Sequence, residues 1–234
     1  MLKALWLAAS LFAAAAQAAA HGPAQMTVVY DLYRNGHKFG QVTDNFSRSG
    51  NRYTLTSETR ASGPLKVLWP GVIRLESSGT VTAQGLRPTR FQHARSDAPK
   101  KLATARLDWK QHSITYEYKS ESRQVNDLQS GARDQLSQFY QFMFAPAIPA
   151  DYSLQVVSGR DLNDYRYARS DGGVFSTPLG DLATQQYQRI TDKPDQKAVT
   201  VWVAPARNNL PVQVRVVEDG VTLEQRLVSA SIKG

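Results

Sequence analysis

Apolar and polar residues alternate along most of the chain after residue 25. Val28, Tyr30 and Leu32 fall on one side of such a segment, and Ile114 and Tyr116 do the same further on. A period of two is typical of β-strands that bury one face. A longer example near the end of the chain contains Leu210, Val212, Val214 and Val216. The pattern predicts a mainly β protein.

Turn-forming residues separate these segments at the spacing of β-hairpins. Asn35-Gly36 and Asp219-Gly220 are pairs that adopt the left-handed backbone angles of tight two-residue turns. Such short connections make successive strands antiparallel neighbours. We expect roughly ten to twelve strands, too many for one flat sheet, and hence a strongly curved half-barrel or open barrel. Looser turns are predicted at Ser49-Gly50-Asn51, Asp171-Gly172-Gly173 and Asn208-Asn209.

One segment, near residues 133–144, has the period of a helix instead. Ser130 or Asp127 is suited to cap its start, and Pro146 and Pro149 are suited to end it. The aromatic face of this amphipathic helix requires cover, for which we expect the concave face of the sheet. The apolar positions recur at i, i+3, i+4, i+7 and i+8 and are Leu136, Phe139, Tyr140, Met143 and Phe144.

Residues 1–20 resemble a cleavable secretion signal. Lys3 precedes an apolar stretch, Leu5–Ala16, and small residues around Ala18 and Ala20 offer cleavage sites. The alternative is a membrane anchor, but a spanning helix needs ~20 apolar residues. The sequence contains no cysteine, so lipid attachment to a new N-terminal cysteine is excluded. We expect a periplasmic, non-lipidated protein with a single antiparallel-β domain over residues 21–234.

Charge and motif content narrow the function without assigning it. The formal charge of +8 favours anionic partners, although scattered basic residues also serve simple solubility. No nucleic-acid recognition module is present, and no nucleic-acid partner is expected. The four histidines lie in no metal-binding motif, and no nucleophile elbow or phosphate loop occurs. We therefore expect no enzyme activity, metal or cofactor, with a site assembled from distant residues as the alternative.

Three ordered motifs resemble one known family. They are Gly85-Leu86-Arg87-Pro88 after a strand, the helix entry Gly131–Ser137, and Val201–Pro205 followed by Leu210-Pro211-Val212. Together they resemble the exported domain of unknown function 3108 family over roughly residues 26–232. Val203 stands where that family usually has leucine. The resemblance implies a periplasmic protein of unassigned activity with a curved sheet wrapped partly round a helix, as in lipoprotein-carrier folds.

Candidate ligand-binding residues follow from the helix and from a sheet bend. Trp69 precedes Pro70-Gly71, where a bend could place its ring at a cavity mouth; packing at a corner of the core is the alternative. Arg133 and Asp134 belong to the helix-entry motif, which is also suited simply to capping and docking the helix. The remaining candidates are the helix residues Leu136, Phe139, Tyr140, Met143 and Phe144.

Two functional hypotheses follow. In the first, the sheet and helix enclose an apolar groove that binds an anionic lipid or another amphiphile. In the second, side chains fill the interior, and exposed loops at 95–101 or 120–132 bind another envelope protein. A monomer that does not span the membrane is expected in both cases. The volume left open between the helix and the sheet distinguishes them.

Overall fold

A computed structural model describes residues 22–63, 65–68, 70–145, 147–191 and 197–234. The predicted signal segment, Trp69 and Pro146 lie outside the described residues, so those expectations stay predictions. Within the described part, neither helix combines the length and apolarity needed to cross a membrane.

Fifteen strands in the described part of the chain form one sheet. The first eight are β1 (Gln25–Arg34), β2 (His37–Ser49), β3 (Arg52–Ala61), β4 (Val72–Thr82), β5 (Gly85–Arg95), β6 (Ala103–Asp108), β7 (Ser113–Tyr118) and β8 (Glu121–Val125). The others are β9 (Arg133–Asp134), β10 (Asp151–Val157), β11 (Leu162–Thr177), β12 (Gly180–Arg189), β13 (Ala198–Ala204), β14 (Leu210–Glu218) and β15 (Val221–Lys233). The helices are α1 (Leu65–Leu68) and α2 (Ser137–Phe144), with 3₁₀ turns at Pro99–Lys101 and Pro205–Arg207.

The sheet is a meander folded back on itself at strand β1. Strands β1 to β8 run outwards in chain order, and β15 to β9 run outwards in reverse order from the other side of β1. Neighbours are antiparallel, except that β9 and β10 pair in parallel. The curved, mainly β fold is as predicted, but the number of strands is higher than ten to twelve. Polar β8 lies inside the predicted loop 120–132, where the apolar alternation that reveals a strand is missing.

The two predicted tight turns are confirmed, but one looser turn is wrong. Asn35 and Gly36 have φ values of 48° and 81°, and Asp219 and Gly220 have φ values of 50° and 72°. Asp171-Gly172-Gly173 instead forms a bulge within β11, where the register with β12 shifts. A Cβ atom on Gly172 would lie 2.9 Å from Cδ1 of Trp202, so the glycine permits a close approach there.

Helix α2 is shorter than the predicted 133–144 segment and begins at Ser137. Residues 133 and 134 pair with β10 instead, and Oδ1 of Asp134 accepts hydrogen bonds from the backbone N–H groups of Leu136 (3.0 Å) and Ser137 (2.7 Å). Asp134 therefore does the capping expected of Ser130 or Asp127. At the other end, Ala145 is extended, as is usual for a residue that precedes proline.

The concave face of the sheet covers the helix, as its aromatic face requires. The ring of Phe144 lies 4.6 Å from that of Phe46 on β2, centroid to centroid. On the opposite side, the ring of Phe142 lies 4.6 Å from that of Tyr187 on β12. Helix α2 thus packs between the two halves of the sheet and divides the core into two clusters.

Candidate ligand cavity

An unfilled cavity of about 1030 Å³ lies between helix α2 and the concave face of the sheet. One wall comes from strands β1 to β4, and the other comes from strands β10 to β15. The helix contributes residues of its N-terminal half and the residues just before it. The main apolar residues of the wall formed by β10 to β15 are Val156, Val199, Val214, Val216, Val221 and Leu223.

The cavity is closed at one end by the C-terminal part of α2. There Nε2 of Gln141 donates to the carbonyl oxygen of Gln84 (2.7 Å), and its Oε1 accepts from the N–H of Leu86 (2.9 Å). Gln84 lies in the β4–β5 turn, and Leu86 is the second residue of β5. Nδ2 of Asn208, in the β13–β14 connection, donates to the carbonyl oxygen of Met143 (3.4 Å). These contacts fix the helix to the turns at this end of the sheet.

The opposite end of the sheet forms the mouth of the cavity. Because the strands are antiparallel, the β1–β2, β10–β11, β12–β13 and β14–β15 connections lie together at that end. Leu223, three residues into β15, lines the cavity and is 41% exposed. Solvent therefore reaches the apolar wall near this edge.

The mouth has an apolar side and a charged side. The apolar side consists of residues near the ends of β1, β2 and β4, namely Leu32, Phe39, Ile73 and Leu75. The charged side comes from the other half of the sheet and contains Arg160, Asp161, Arg189, Lys197, Glu218 and Asp219. Three cations face three anions here, so the mouth as a whole has no surplus positive charge to favour an anion.

Internal contacts already engage some of these charges. The guanidinium of Arg189 lies 3.9 Å from the ring centroid of Tyr165, and its Nη1 donates to the carbonyl oxygen of Lys197 (2.7 Å). Nζ of Lys197 lies 3.3 Å from Oε2 of Glu218. This half of the mouth is therefore a partly neutralised, hydrogen-bonded rim.

A polar cluster forms the floor of the cavity. The hydroxyl of Tyr140 on α2 donates to Oδ2 of Asp44 on β2 (2.6 Å), and the hydroxyl of Tyr30 on β1 donates to the carbonyl oxygen of Pro211 (2.9 Å). Ser57 is the partner of Asp44 across the β2–β3 pair. Burial raises the pKa of Asp44 to about 6, although the hydroxyls of Ser57 and Tyr140 lower it. Burial also raises the pKa of Tyr140.

The structure brings three of the sequence-predicted site residues to the cavity. Leu136, Phe139 and Tyr140 line it. Met143 and Phe144 are buried at the closed end instead, outside the residues found to line it. A ligand-binding role for these residues stays a prediction.

The two charged residues of the helix-entry motif are buried in structural contacts. Nη1 of Arg133 donates to the carbonyl oxygen of Ala132 (2.8 Å), and its Nη2 donates to that of Gln84 (3.1 Å). Asp134 caps the helix and accepts a hydrogen bond from the hydroxyl of Ser77. Burial raises the pKa of Asp134 to about 6. Both residues lie outside the lining of the cavity as the structure describes it, which fits the capping and docking alternative.

Asp44 is one member of the floor that sequence reasoning missed. Its signal is visible: it occupies an inward position of β2, between the buried residues Val42 and Phe46. A polar residue at an inward position of a strand calls for an explanation, since burying it without a partner is costly. The residues of the charged rim have no such signal, because they lie in or next to three different hairpin connections.

The described residues contain no group of three or more histidine, cysteine, aspartate or glutamate side chains placed to hold a metal ion.

Comparison with known proteins assigns the family. The family model described as "Protein of unknown function (DUF3108)" matches residues 29–226, so the chain belongs to that family. No curated protein matches it. Among solved structures, it is similar to a β-barrel-like protein of the domain of unknown function DUF1849 from Brucella abortus. The TM-score is 0.55 at 12% identity, with 92% of this chain and 100% of that chain covered.

A second solved structure, the hypothetical protein CT021 from Chlamydia trachomatis, has a TM-score of 0.37 at 7% identity over 88% of each chain. The likeness to the Brucella protein concerns the fold alone. The family model confirms the resemblance expected from the three sequence motifs.

Proposed function

We propose that this protein binds an elongated amphiphile, such as a molecule with a fatty-acyl chain, in the cavity beneath helix α2. The observation that carries the proposal is the open volume of about 1030 Å³ inside the curved sheet. Small-molecule sites occupy roughly 300–1,000 Å³, so this one is at the upper end of the range. A protein interior of ordinary packing leaves few voids larger than a water molecule.

The distribution of side chains supports an amphiphile in particular. Valine and leucine side chains line the wall formed by β10 to β15, where they would shelter an apolar chain. The charged rim lies at the mouth, where a polar headgroup would remain in contact with water. The balance of charges there supports no preference for an anionic headgroup, in contrast to the expectation of an anionic lipid.

The alternative hypothesis, an envelope interaction factor, requires an interior filled by its own side chains. The open cavity favours binding over that alternative. We propose binding rather than catalysis, and we propose the periplasm as its location because residues 1–20 have the pattern of a secretion signal.

Displacement of a fluorescent fatty acid tests the proposal. We expect 11-(dansylamino)undecanoic acid to bind the purified protein with a blue-shifted, enhanced emission. Native mass spectrometry of protein isolated from a bacterial periplasm should show lipid-sized adducts. The absence of both results would contradict the proposal.

Two neighbouring residues of β14 provide a matched pair of variants. Val216 lines the cavity, whereas Val217 points to the other face of the sheet and lies outside the described lining. Val216→Trp should fill part of the cavity and weaken probe binding about tenfold or more, which corresponds to at least ~1.4 kcal/mol. Val217→Trp should change the affinity for the probe by no more than about twofold, since the side chain at position 217 cannot reach the ligand. Equal effects of the two substitutions would contradict the cavity as the binding site.

A further inference from the structure

Asp44 is an ionisable residue at a buried, inward-facing position of strand β2. It lies on β2 between two buried apolar residues that also face inwards, and it is only 3% exposed. Of Val42, Asp44 and Phe46, Asp44 alone lines the cavity. Burying an ionisable group in an apolar interior is unfavourable unless its polar atoms have partners.

The partners of Asp44 satisfy one of its two oxygens. Oδ2 accepts from the hydroxyl of Tyr140 at 2.6 Å, whereas Oδ1 is buried and has no hydrogen-bond partner in the described part of the chain. The other nearby phenol cannot supply a donor, because the hydroxyl of Tyr30 already donates to the carbonyl oxygen of Pro211. Ser57 lies opposite on β3 and its hydroxyl lowers the pKa of Asp44, but no hydrogen bond of ordinary length and angle joins it to Oδ1.

We propose that Asp44 receives a hydrogen-bond donor carried by the inner end of the bound molecule. The ligand class is then an elongated apolar body with a hydroxyl or amide N–H group at the end that enters first. This inference rests on the proposed amphiphile-binding function and specifies the chemistry at the floor of the same cavity.

The geometry favours a donor over an acceptor at this point. Oδ1 of an ionised carboxylate only accepts hydrogen bonds. The terminal torsion of an aspartate side chain is broad, so a modest rotation about the Cβ–Cγ bond costs little; it moves both oxygens and can bring Oδ1 towards the cavity. A plain hydrocarbon end would leave Oδ1 unpaired, whereas a hydroxyl or amide N–H would pair it.

A pair of displacers of the same chain length tests the inference. 1-Dodecanol can donate a hydrogen bond, but dodecyl methyl ether can only accept one. At pH 8, we expect the alcohol to displace 11-(dansylamino)undecanoic acid roughly 3- to 10-fold more effectively than the ether, the usual effect of one hydrogen bond. Because both displacers are used on every variant, their difference in hydrophobicity cancels when the ratios are compared.

Asp44→Asn supplies the decisive variant. The asparagine oxygen can still accept from Tyr140, which leaves the amide nitrogen, a donor, in the place of Oδ1. The preference for the alcohol should disappear or reverse, while exposed Asp181→Asn should retain the wild-type ratio. A wild-type protein without preference, or Asp44→Asn with the preference unchanged, would overturn the inference alone. Failure of the dansyl probe to bind the wild-type protein would overturn the proposed function and this inference together.

Discussion

The hydroxyl of Tyr140 and Oδ2 of Asp44 form a buried hydrogen bond of 2.6 Å that joins helix α2 to strand β2 across 96 residues of sequence. The helix is therefore held over the cavity floor by a directional contact as well as by apolar packing. The same contact consumes the single donor of the tyrosine. Stability and the chemistry of the floor are thus linked through one pair of side chains.

Removing the tyrosine hydroxyl should destabilise the fold. Tyr140→Phe leaves a buried carboxyl without its donor, and we expect a loss of about 1–3 kcal/mol in the free energy of unfolding, measured by urea denaturation. Tyr33→Phe is the control, because the hydroxyl of Tyr33 makes no hydrogen bond in the described part and its ring lies beneath the guanidinium of Arg226. A loss for Tyr140→Phe no larger than that for Tyr33→Phe would show that the contact contributes nothing.

The raised pKa of Asp44 predicts a pH dependence of definite sign. Burial raises the pKa to about 6 in the folded protein, whereas an aspartate in an unfolded chain titrates at roughly 3.9. Between these values the folded state binds more protons, so the contribution of Asp44 to stability falls as pH rises from about 4 to 6. The contribution is fully present at pH values below the pKa of the unfolded state, and it is lost at pH values above the pKa of the folded state.

The measurement is the difference in unfolding free energy between the wild-type protein and Asp44→Asn at pH 4 and pH 7.5. We expect this difference to shift by up to about 3 kcal/mol against the wild-type protein at the higher pH. The corresponding difference for exposed Asp181→Asn should stay constant. A shift of the opposite sign would mean that the carboxyl is better stabilised as an anion in the folded protein.

The fold was predictable from the sequence wherever one strand face is buried. Val28, Tyr30 and Leu32 all point into the core, as their alternation indicates. The alternation of apolar and polar residues does not predict structure that depends on pairing with a neighbouring strand rather than on a buried face. The exposed, polar β8 is a strand because β7 offers it an edge, and the glycines after Asp171 form a bulge because β12 continues alongside them.

The site was predictable only in part for a related reason. The helical spacing of apolar residues in α2 predicted the part of the lining that the helix contributes, including Phe139 and Tyr140. The floor and the mouth combine residues that are far apart in sequence, such as Asp44 and Pro211. Their proximity depends on the register of β1 with both β2 and β15 and of β15 with β14, and no local pattern encodes that register.

The capping role of Asp134 predicts a large effect for a residue just outside the helix. Asp134→Ala removes the acceptor for the N–H groups of Leu136 and Ser137 and for the hydroxyl of Ser77, all of which are buried. We expect a loss of about 3 kcal/mol in unfolding free energy. Asp127→Ala should cost less than about 1 kcal/mol, because among the described residues Asp127 accepts a single, weak hydrogen bond of 3.4 Å, from Gln155. A larger loss for Asp127→Ala than for Asp134→Ala would indicate that Asp127, and not Asp134, caps the helix.

Gly85 allows the β4–β5 turn to pack against the end of helix α2. Its φ is +99°, and an added Cβ would lie 2.5 Å from Nε2 and 2.6 Å from Oε1 of Gln141. Gly85→Ala should therefore cost about 2 kcal/mol or more in unfolding free energy, through backbone strain and the displaced amide. Gly131→Ala, with no atom within 4 Å of the new Cβ, should stay within about 0.5 kcal/mol.

A double-mutant cycle separates the two causes of that loss. Gln141→Ala should cost less in the Gly85→Ala protein than in the wild-type protein, since the alanine at position 85 has already displaced the amide from the N–H of Leu86. Additive losses would instead mean that the strain of the backbone at residue 85 accounts for the whole effect. In that case the turn would dock against the helix without help from the glutamine, and the closed end of the cavity would depend on the packing of Phe144 against Phe46.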